Sequence, residues 1–204
     1  YNPKSSCCGQ PAFNAGHWAE SRDVAKTLLS TFNDDRYIVC ASGSCTGFVR
    51  NYLPQVLNET EATKTSFERK QFFELTEFLN DILNVVDVDA RFEGVATYHD
   101  SCGALRECNV REAPRRLLSK VRGLELIETH DCQVCCGFGG TFAVKFESIS
   151  VSMAEQKVRN AIDAGAEYII STDLSCLLHM DGFIRKNKLG IKTIHIVDVL
   201  ASGW

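Results

Sequence analysis

The chain has 204 residues, 45% of them hydrophobic, and a net charge of −4. That is enough apolar material for one domain or two closely packed half-domains, and its mild acidity argues against nucleic-acid or anionic-membrane partners. No apolar run approaches the ~18 residues of a membrane span, and no signal-peptide pattern opens the chain.

Ten cysteines stand at positions 7, 8, 40, 45, 102, 108, 132, 135, 136 and 176. A secreted disulfide scaffold is short and poor in regular elements. This chain alternates helices and strands, so its cysteines point to metal, cluster or redox chemistry in a cytoplasmic α/β protein.

In chain order, Tyr1 to Gly16 reads as loop around Cys7-Cys8-Gly9. His17 to Phe32 reads as a helix with Trp18, Val24, Ala25, Leu28, Leu29 and Phe32 roughly along one side, ended by Asn33-Asp34-Asp35. Tyr37 to Cys40 is a short strand, and a short helix follows Cys45, stopped by Pro54. Asn58 to Ser66 is polar and reads as a mobile loop. Phe67 to Val85 shows the apolar period of a long amphipathic helix. Val95 to His99 is a strand, followed by a helix from Ala113 to Lys120 with Pro114 in its first turn, then a strand over Leu124 to Glu128. A helix from Glu147 to Gly165, a strand over Tyr168 to Ser171, a helix to Lys186, a strand over Thr193 to His195 and a closing helix from Ile196 complete the chain.

Two blocks of this order repeat. Tyr37 to Cys45 aligns without gaps on Tyr168 to Cys176, and Phe73 to Leu79 resembles Ile194 to Leu200. The cysteine pairs 7/8 and 135/136 precede these blocks at nearly equal distances. The fold expected is therefore α/β with parallel sheets, built from two copies of one βα module, residues 1–88 and 89–204. The second copy opens with a strand and Cys102, for which the first has no counterpart. Subtracting one copy from the other puts about 35–40 residues, with a strand, a helix and a cysteine, ahead of Tyr1.

The chemistry centres on Cys135-Cys136-Gly137-Phe138-Gly139-Gly140. Glycines there allow a sharp turn around something held by thiolates, and amide N–H groups near a helix start favour anionic sulfur. Cys102, Cys135/Cys136 and Cys176 each follow a strand, and in a parallel sheet the loops after strands gather at one edge. Four thiolates, with Asp173 as a possible ligand or proton carrier, suffice for a [4Fe–4S] cluster or a tetrahedral zinc. The first half offers Cys7, Cys8 and Cys45, with Ser42 at the Asp173 position, and is one ligand short. His99, near Cys102, could tune the site, though a plain hydrogen bond is the commoner fate of such a residue. His179, one turn past Cys176, could also face it. Cys40 and Cys108 read as buried or incidental, and Cys132 as a spare thiol able to pair with Cys135 if metal is absent. Gly137 and Gly139 shape the cofactor loop. The chain has neither a P-loop nor a G-x-G-x-x-G after a strand.

The spacing from Cys102 through Cys135-Cys136-Gly137 to Asp173-x-x-Cys176 resembles the cysteine-rich CCG domain found in heterodisulfide reductase and in the glycolate oxidase and glycerol-3-phosphate dehydrogenase iron–sulfur subunits. Within that group, Cys7 to Gly16, Ser42 to Cys45, Ala90 to Gly94, Thr97 to Cys102 and Cys135 to Phe142 are similar to the lactate-utilisation A family along the whole chain. The resemblance implies two CCG modules, iron–sulfur binding, and membership of a three-protein system that oxidises L-lactate to pyruvate with other iron–sulfur and accessory subunits. It implies Cys102, Cys135, Cys136 and Cys176 as ligands, and Cys7, Cys8 and Cys45 as a partial set. The reductase modules end in Cys-x-x-Cys and carry five cysteines for a non-cubane cluster. Ser42 and Asp173 replace a cysteine here, which favours an ordinary [4Fe–4S] centre, prone to loss in air, or zinc. Two rival readings stand: thiol–disulfide chemistry at the cluster, and a zinc-stabilised scaffold that docks partners.

Overall fold

In a computed structural model, residues 2–32, 36–57 and 71–203 are described. The expected Asn33-Asp34-Asp35 break, the loop over Asn58 to Ser66 and the first residues of the expected Phe67 helix lie outside them. The architecture is α/β with parallel strands throughout. Strands β1 (Ile38–Cys40) and β2 (Phe72–Glu74) pair with each other. Strands β3 (Arg91–Tyr98), β4 (Arg122–Ile127), β5 (Tyr168–Ser171) and β6 (Lys192–His195) form a second sheet in the order β4-β3-β5-β6.

Helices α1 (Gln10–Asn14), α2 (Trp18–Thr31), α3 (Gly43–Asn51) and α4 (Leu53–Val56) surround the small sheet. Their core is Leu28 and Leu29 from α2, Phe48 and Val49 from α3, and Ile38 and Phe72 from the strands. The larger sheet is covered on both faces, as parallel sheets require. On one face Leu117 and Leu118 of α6 (Glu112–Leu118) pack with Ile196 and Val199 of α10 (Ile196–Leu200). On the other, beyond the short α7 (Thr141–Lys145), lie Val158 and Ala161 of α8 (Glu147–Asp163) and Leu177 and Met180 of α9 (Leu174–Lys186).

Three local expectations need correction. The segment Tyr1–Gly16 is not all loop, because Pro11 at the first turn starts α1. Pro54 does not simply stop a helix; it sits in the first turn of α4. The long helix over Phe67 to Val85 is replaced by β2, then a turn of helix α5 (Leu75–Glu77) that widens into a π-helical turn over Phe78–Ile82. Phe72, Leu75, Phe78, Leu79 and Ile82 do fit a helical period. What wins is the pairing of Phe72, Phe73 and Glu74 with Ile38, Val39 and Cys40, which buries Phe72 in the small core. The switch from strand to helix is marked by Glu74, whose buried carboxylate accepts from the amides of Thr76 and Glu77 while Glu77 reaches back to the Glu74 amide. At the matching place in the other half, His195 Nδ1 accepts from the Val197 amide to start α10. The repeat of Phe73–Leu79 on Ile194–Leu200 is thus a repeated strand-to-helix junction.

The modules meet along α3. A Cβ on Gly43 would come within 2.4 Å of Ala104, and one on Gly47 within 2.4 Å of Glu107, so the backbones of α3 and the π-helical turn Gly103–Glu107 approach as closely as glycine allows. Asn51 and Tyr52 hydrogen-bond Glu107 across the same seam.

Candidate metal centre

Three strand ends of the larger sheet deliver the site. Cys102 follows β3, Cys135 and Cys136 lie beyond β4, and Cys176 sits in the first turn of α9 after β5. The four side chains line one cavity, near enough to shift one another's ionisation, Cys102 with Cys135, Cys135 with Cys136, and Cys136 with Cys176. The neighbouring Cys102 and then Cys136 thiols lower the pKa of Cys135. The Gly137 amide also donates to its sulfur at 3.4 Å. Cys102 and Cys136 are pushed up, first by their hydrogen bonds to neighbouring sulfur and then by burial. All ten cysteines are free thiols, so Cys132 and Cys135 are not paired. Cys132 lies aside, beside Glu128, and outside the sulfur series.

Gly137 makes the turn possible. Its φ is +90°, and a Cβ there would lie 2.7 Å from the Ser150 carbonyl oxygen. Ser150, buried on α8, donates to the Gly137 carbonyl at 2.8 Å. The first half repeats this cradle: Gly9 has φ +95°, and buried Ser21 on α2 donates to its carbonyl at 3.0 Å. Neither serine was singled out from the sequence; each lies 12 or 13 residues past its glycine on a helix, a spacing visible once the two cysteine pairs are aligned.

His99 stands at the end of β3, only 2% exposed. One of its ring nitrogens and the sulfurs of Cys136 and Cys176 all lie within 4.8 Å of one another. Neither ring nitrogen has a hydrogen-bond partner among the described residues, so the expectation of a plain hydrogen bond is not met. Burial, with the Lys157 charge behind it, lowers its pKa to about 3 and keeps the ring neutral. Lys157 itself is buried, and its Nζ donates to the carbonyls of Asp131 (2.7 Å) and Cys132 (3.0 Å), fastening the approach to the cysteine pair. His179 faces Ser150 instead, at 3.0 Å from its hydroxyl.

In the first half, Cys8 and Cys45 sulfurs lie 3.4 Å apart. Cys40, read from sequence as buried or incidental, is half-buried close to Cys45. Cys45 is held ionised, its pKa lowered to about 3, by Cys40 and then Cys8. Cys7 is exposed, and Cys108 is buried with its thiol donating to the Gly43 carbonyl. Of the expected set Cys7, Cys8 and Cys45, the structure brings the last two together, with Cys40 beside them.

Asp173 lies between the halves. Its carboxylate accepts from Ser42 Oγ (2.7 Å), Ser44 Oγ (2.8 Å), the Ser44 amide (3.2 Å) and Ser101 Oγ. Ser42 and Asp173 occupy the same place in the repeat, each at the N-cap of a helix, and here they bond each other. Beside them a cavity of about 440 Å³ is lined by Cys102, Cys135, Cys136 and Cys176 on one side and Gln10, Asn14 and Ser44 on the other.

These features define a two-module cysteine-rich protein with a thiolate site at each module's strand ends. The pattern of the cysteine-rich domain family, CCG, matches residues 1–50 and 96–181. Over 198 residues the chain is 43% identical to Lactate utilization protein A 1 of Bacillus cereus (strain AH820) and to Lactate utilization protein A of Bacillus thuringiensis (strain Al Hakam), covering 96% of this chain and 82% of each relative. It is 42% identical, at the same coverage, to Lactate utilization protein A of Bacillus cytotoxicus. The chain therefore belongs to the CCG cysteine-rich domain family and, within it, to the lactate utilization A proteins. No helix among the described residues is long and apolar enough to cross a membrane.

Proposed function

We propose that this protein is a cytoplasmic iron–sulfur electron-transfer subunit in a system that oxidises L-lactate to pyruvate, working with other iron–sulfur and accessory subunits. The observation that carries the reading is that Cys102, Cys135, Cys136 and Cys176, far apart in sequence, line one cavity. The donor set fits a [4Fe–4S] centre: four cysteines lining one cavity, with a buried histidine lacking any partner among the described residues. When bound, such a centre supplies one-electron transfer, and lactate oxidation releases two electrons. The residues around it do the rest. Gly137 bends the backbone so that its amide faces sulfur. Lys157 places a buried cation near an anionic site. Cys7, Cys8 and Cys45 are the partial set of the other module, with Cys40 close by, and Asp173 ties the modules together. Among the described residues no Lys, Arg or His lines the cavity, so a lactate carboxylate finds no cation there. That supports electron transfer on this chain and dehydrogenation on a partner.

The test is anaerobic purification followed by iron, sulfide and zinc analysis and a visible spectrum. A brown protein with iron and acid-labile sulfide is expected; a colourless zinc protein would sink the redox reading. A paired measurement places the site: Cys136→Ser loses the metal of the C-terminal module, whereas Cys132→Ser keeps it. Equal loss in both variants would mean that the ligand set is wrong.

A further inference from the structure

The geometry assigns His99 as a nitrogen ligand of the metal centre in the C-terminal module, bonded to metal together with Cys136 and Cys176. This rests on the reading that a metal centre occupies that module. It adds a donor that is not a cysteine.

A buried polar atom with no partner is costly to leave unsatisfied, and His99 carries two such atoms at 2% exposure. Every other histidine has a simpler account. His17 caps α2 by position, and His130 is exposed near Asp131. His179 meets Ser150, and His195 bonds the Val197 amide and the Thr172 carbonyl. The His99 ring is also aimed by a fixed backbone. Its amide donates to the Ile170 carbonyl at 2.8 Å, and its carbonyl accepts from Ser171 Oγ at 3.0 Å. The strand end thus directs the ring at the two most buried sulfurs of the set, Cys136 and Cys176, all three donor atoms within 4.8 Å of one another. A tetrahedral ion at roughly 2.0–2.3 Å from each would hold such donors about 3.5–3.8 Å apart, so an inward shift of about 1 Å or less closes the site. A neutral imidazole is the form that binds metal. Ligation satisfies one of the two unpartnered ring nitrogens. With Cys135 or Cys102 as the fourth donor the set is Cys₃His; with both it is five donors around a cluster.

The experiment loads the full chain, labelled with ¹⁵N-histidine, with ¹¹³Cd(II) under argon and records cadmium–nitrogen coupling by NMR. One imidazole with a direct ¹¹³Cd–¹⁵N coupling is expected, lost in His99→Gln and kept in His179→Gln and His130→Gln. His99→Gln is expected to weaken cadmium binding by about 10–100-fold. If His99→Gln fails to fold, the wild-type coupling, together with its survival in the other histidine variants, still decides the matter. Cadmium bound with no nitrogen coupling, or coupling to another histidine, overturns the assignment, as does failure to bind cadmium. The proposed function fails separately: nitrogen coupling in a protein that carries zinc and never iron upholds His99 and removes the redox reading.

Discussion

Replacing Arg115 with alanine is expected to destabilise the fold by about 3–5 kcal/mol, the cost of leaving a buried charge without its partner. Arg115 meets both oxygens of Asp100 at 2.8 Å, a bidentate pair whose acid has no exposed side-chain surface. Its guanidinium also lies over the buried Tyr98 ring, 5.3 Å from the centroid. Asp100 sits between His99 and Cys102, so the pair anchors the segment that presents both. For a domain of this size the loss corresponds to roughly 10 °C in Tm, read by thermal or urea unfolding of the metal-free protein. Arg115→Lys should recover only part, because a lysine cannot make the two-pronged contact. Glu128 also bonds Arg115, but its side chain is half exposed and contributes little. Arg115 holds the Glu128 carboxyl below its usual range. That small contribution is present above the ordinary glutamate pKa and fades as pH falls through the lowered one. A measured loss under about 1 kcal/mol in Arg115→Ala would show that Asp100 finds water or another donor.

Much of this arrangement was legible from residue order. The gapless match of Tyr37–Cys45 with Tyr168–Cys176 foretold two equivalent strand–loop–helix units, and β1–α3 and β5–α9 are those units. The rule that loops after parallel strands gather at one edge placed Cys102, Cys135, Cys136 and Cys176 together. The same repeat held the answer to the segment after Phe67. Aligning Phe73–Leu79 with Ile194–Leu200 calls for a strand ending at Glu74, whereas the apolar period calls for a helix. A short buried strand and one face of a helix use the same residue types, and only the pairing with β1 separates them. Cys40 escaped because its counterpart in the repeat is Ser171, so no matched cysteine drew attention to it. Ser171 instead holds the His99 carbonyl. His99 was named as able to tune the site, and what its sequence context misjudged is the plain hydrogen bond. A histidine three residues before a cysteine is bonded in most folds, and only packing reveals that its ring has no partner among the described residues. Local pattern fixes which way the chain runs; it does not record which side chains distant segments leave unsatisfied.

Asp173 carries the second large effect. Its carboxylate takes hydrogen bonds from three serine hydroxyls and one amide, drawn from β3's end and from the N-terminus of α3 in the other module. It is 1% exposed and has no ion-pair partner among the described residues. Its charge is held by hydrogen bonds and by the N-terminal end of α9, where negative charge is favoured. Hydrogen bonds to a charged group contribute about 1.5–3 kcal/mol each. Asp173→Ala removes several at once. Ser42 and Ser44 are already 3.1 Å apart and can bond each other, which returns part of the loss. The expected cost is about 3–6 kcal/mol, equivalent to two such bonds. Asp173→Asn should cost less, roughly 1–2 kcal/mol, because the amide oxygen still accepts and hydroxyls rotate to suit. Both variants must be compared metal-free, since bound metal adds its own stabilisation. The ordering separates a tie between modules from a proton carrier. A carrier loses its function as asparagine while the fold keeps its stability. A tie tolerates asparagine and fails as alanine, and Ser42→Ala should then lose less in an Asp173→Ala background than alone. If Asp173→Ala unfolds with the wild-type midpoint, the serines are not held by it, and the joint between the two modules rests on the glycine seam of α3 and the bonds of Asn51, Tyr52 and Glu74 across it.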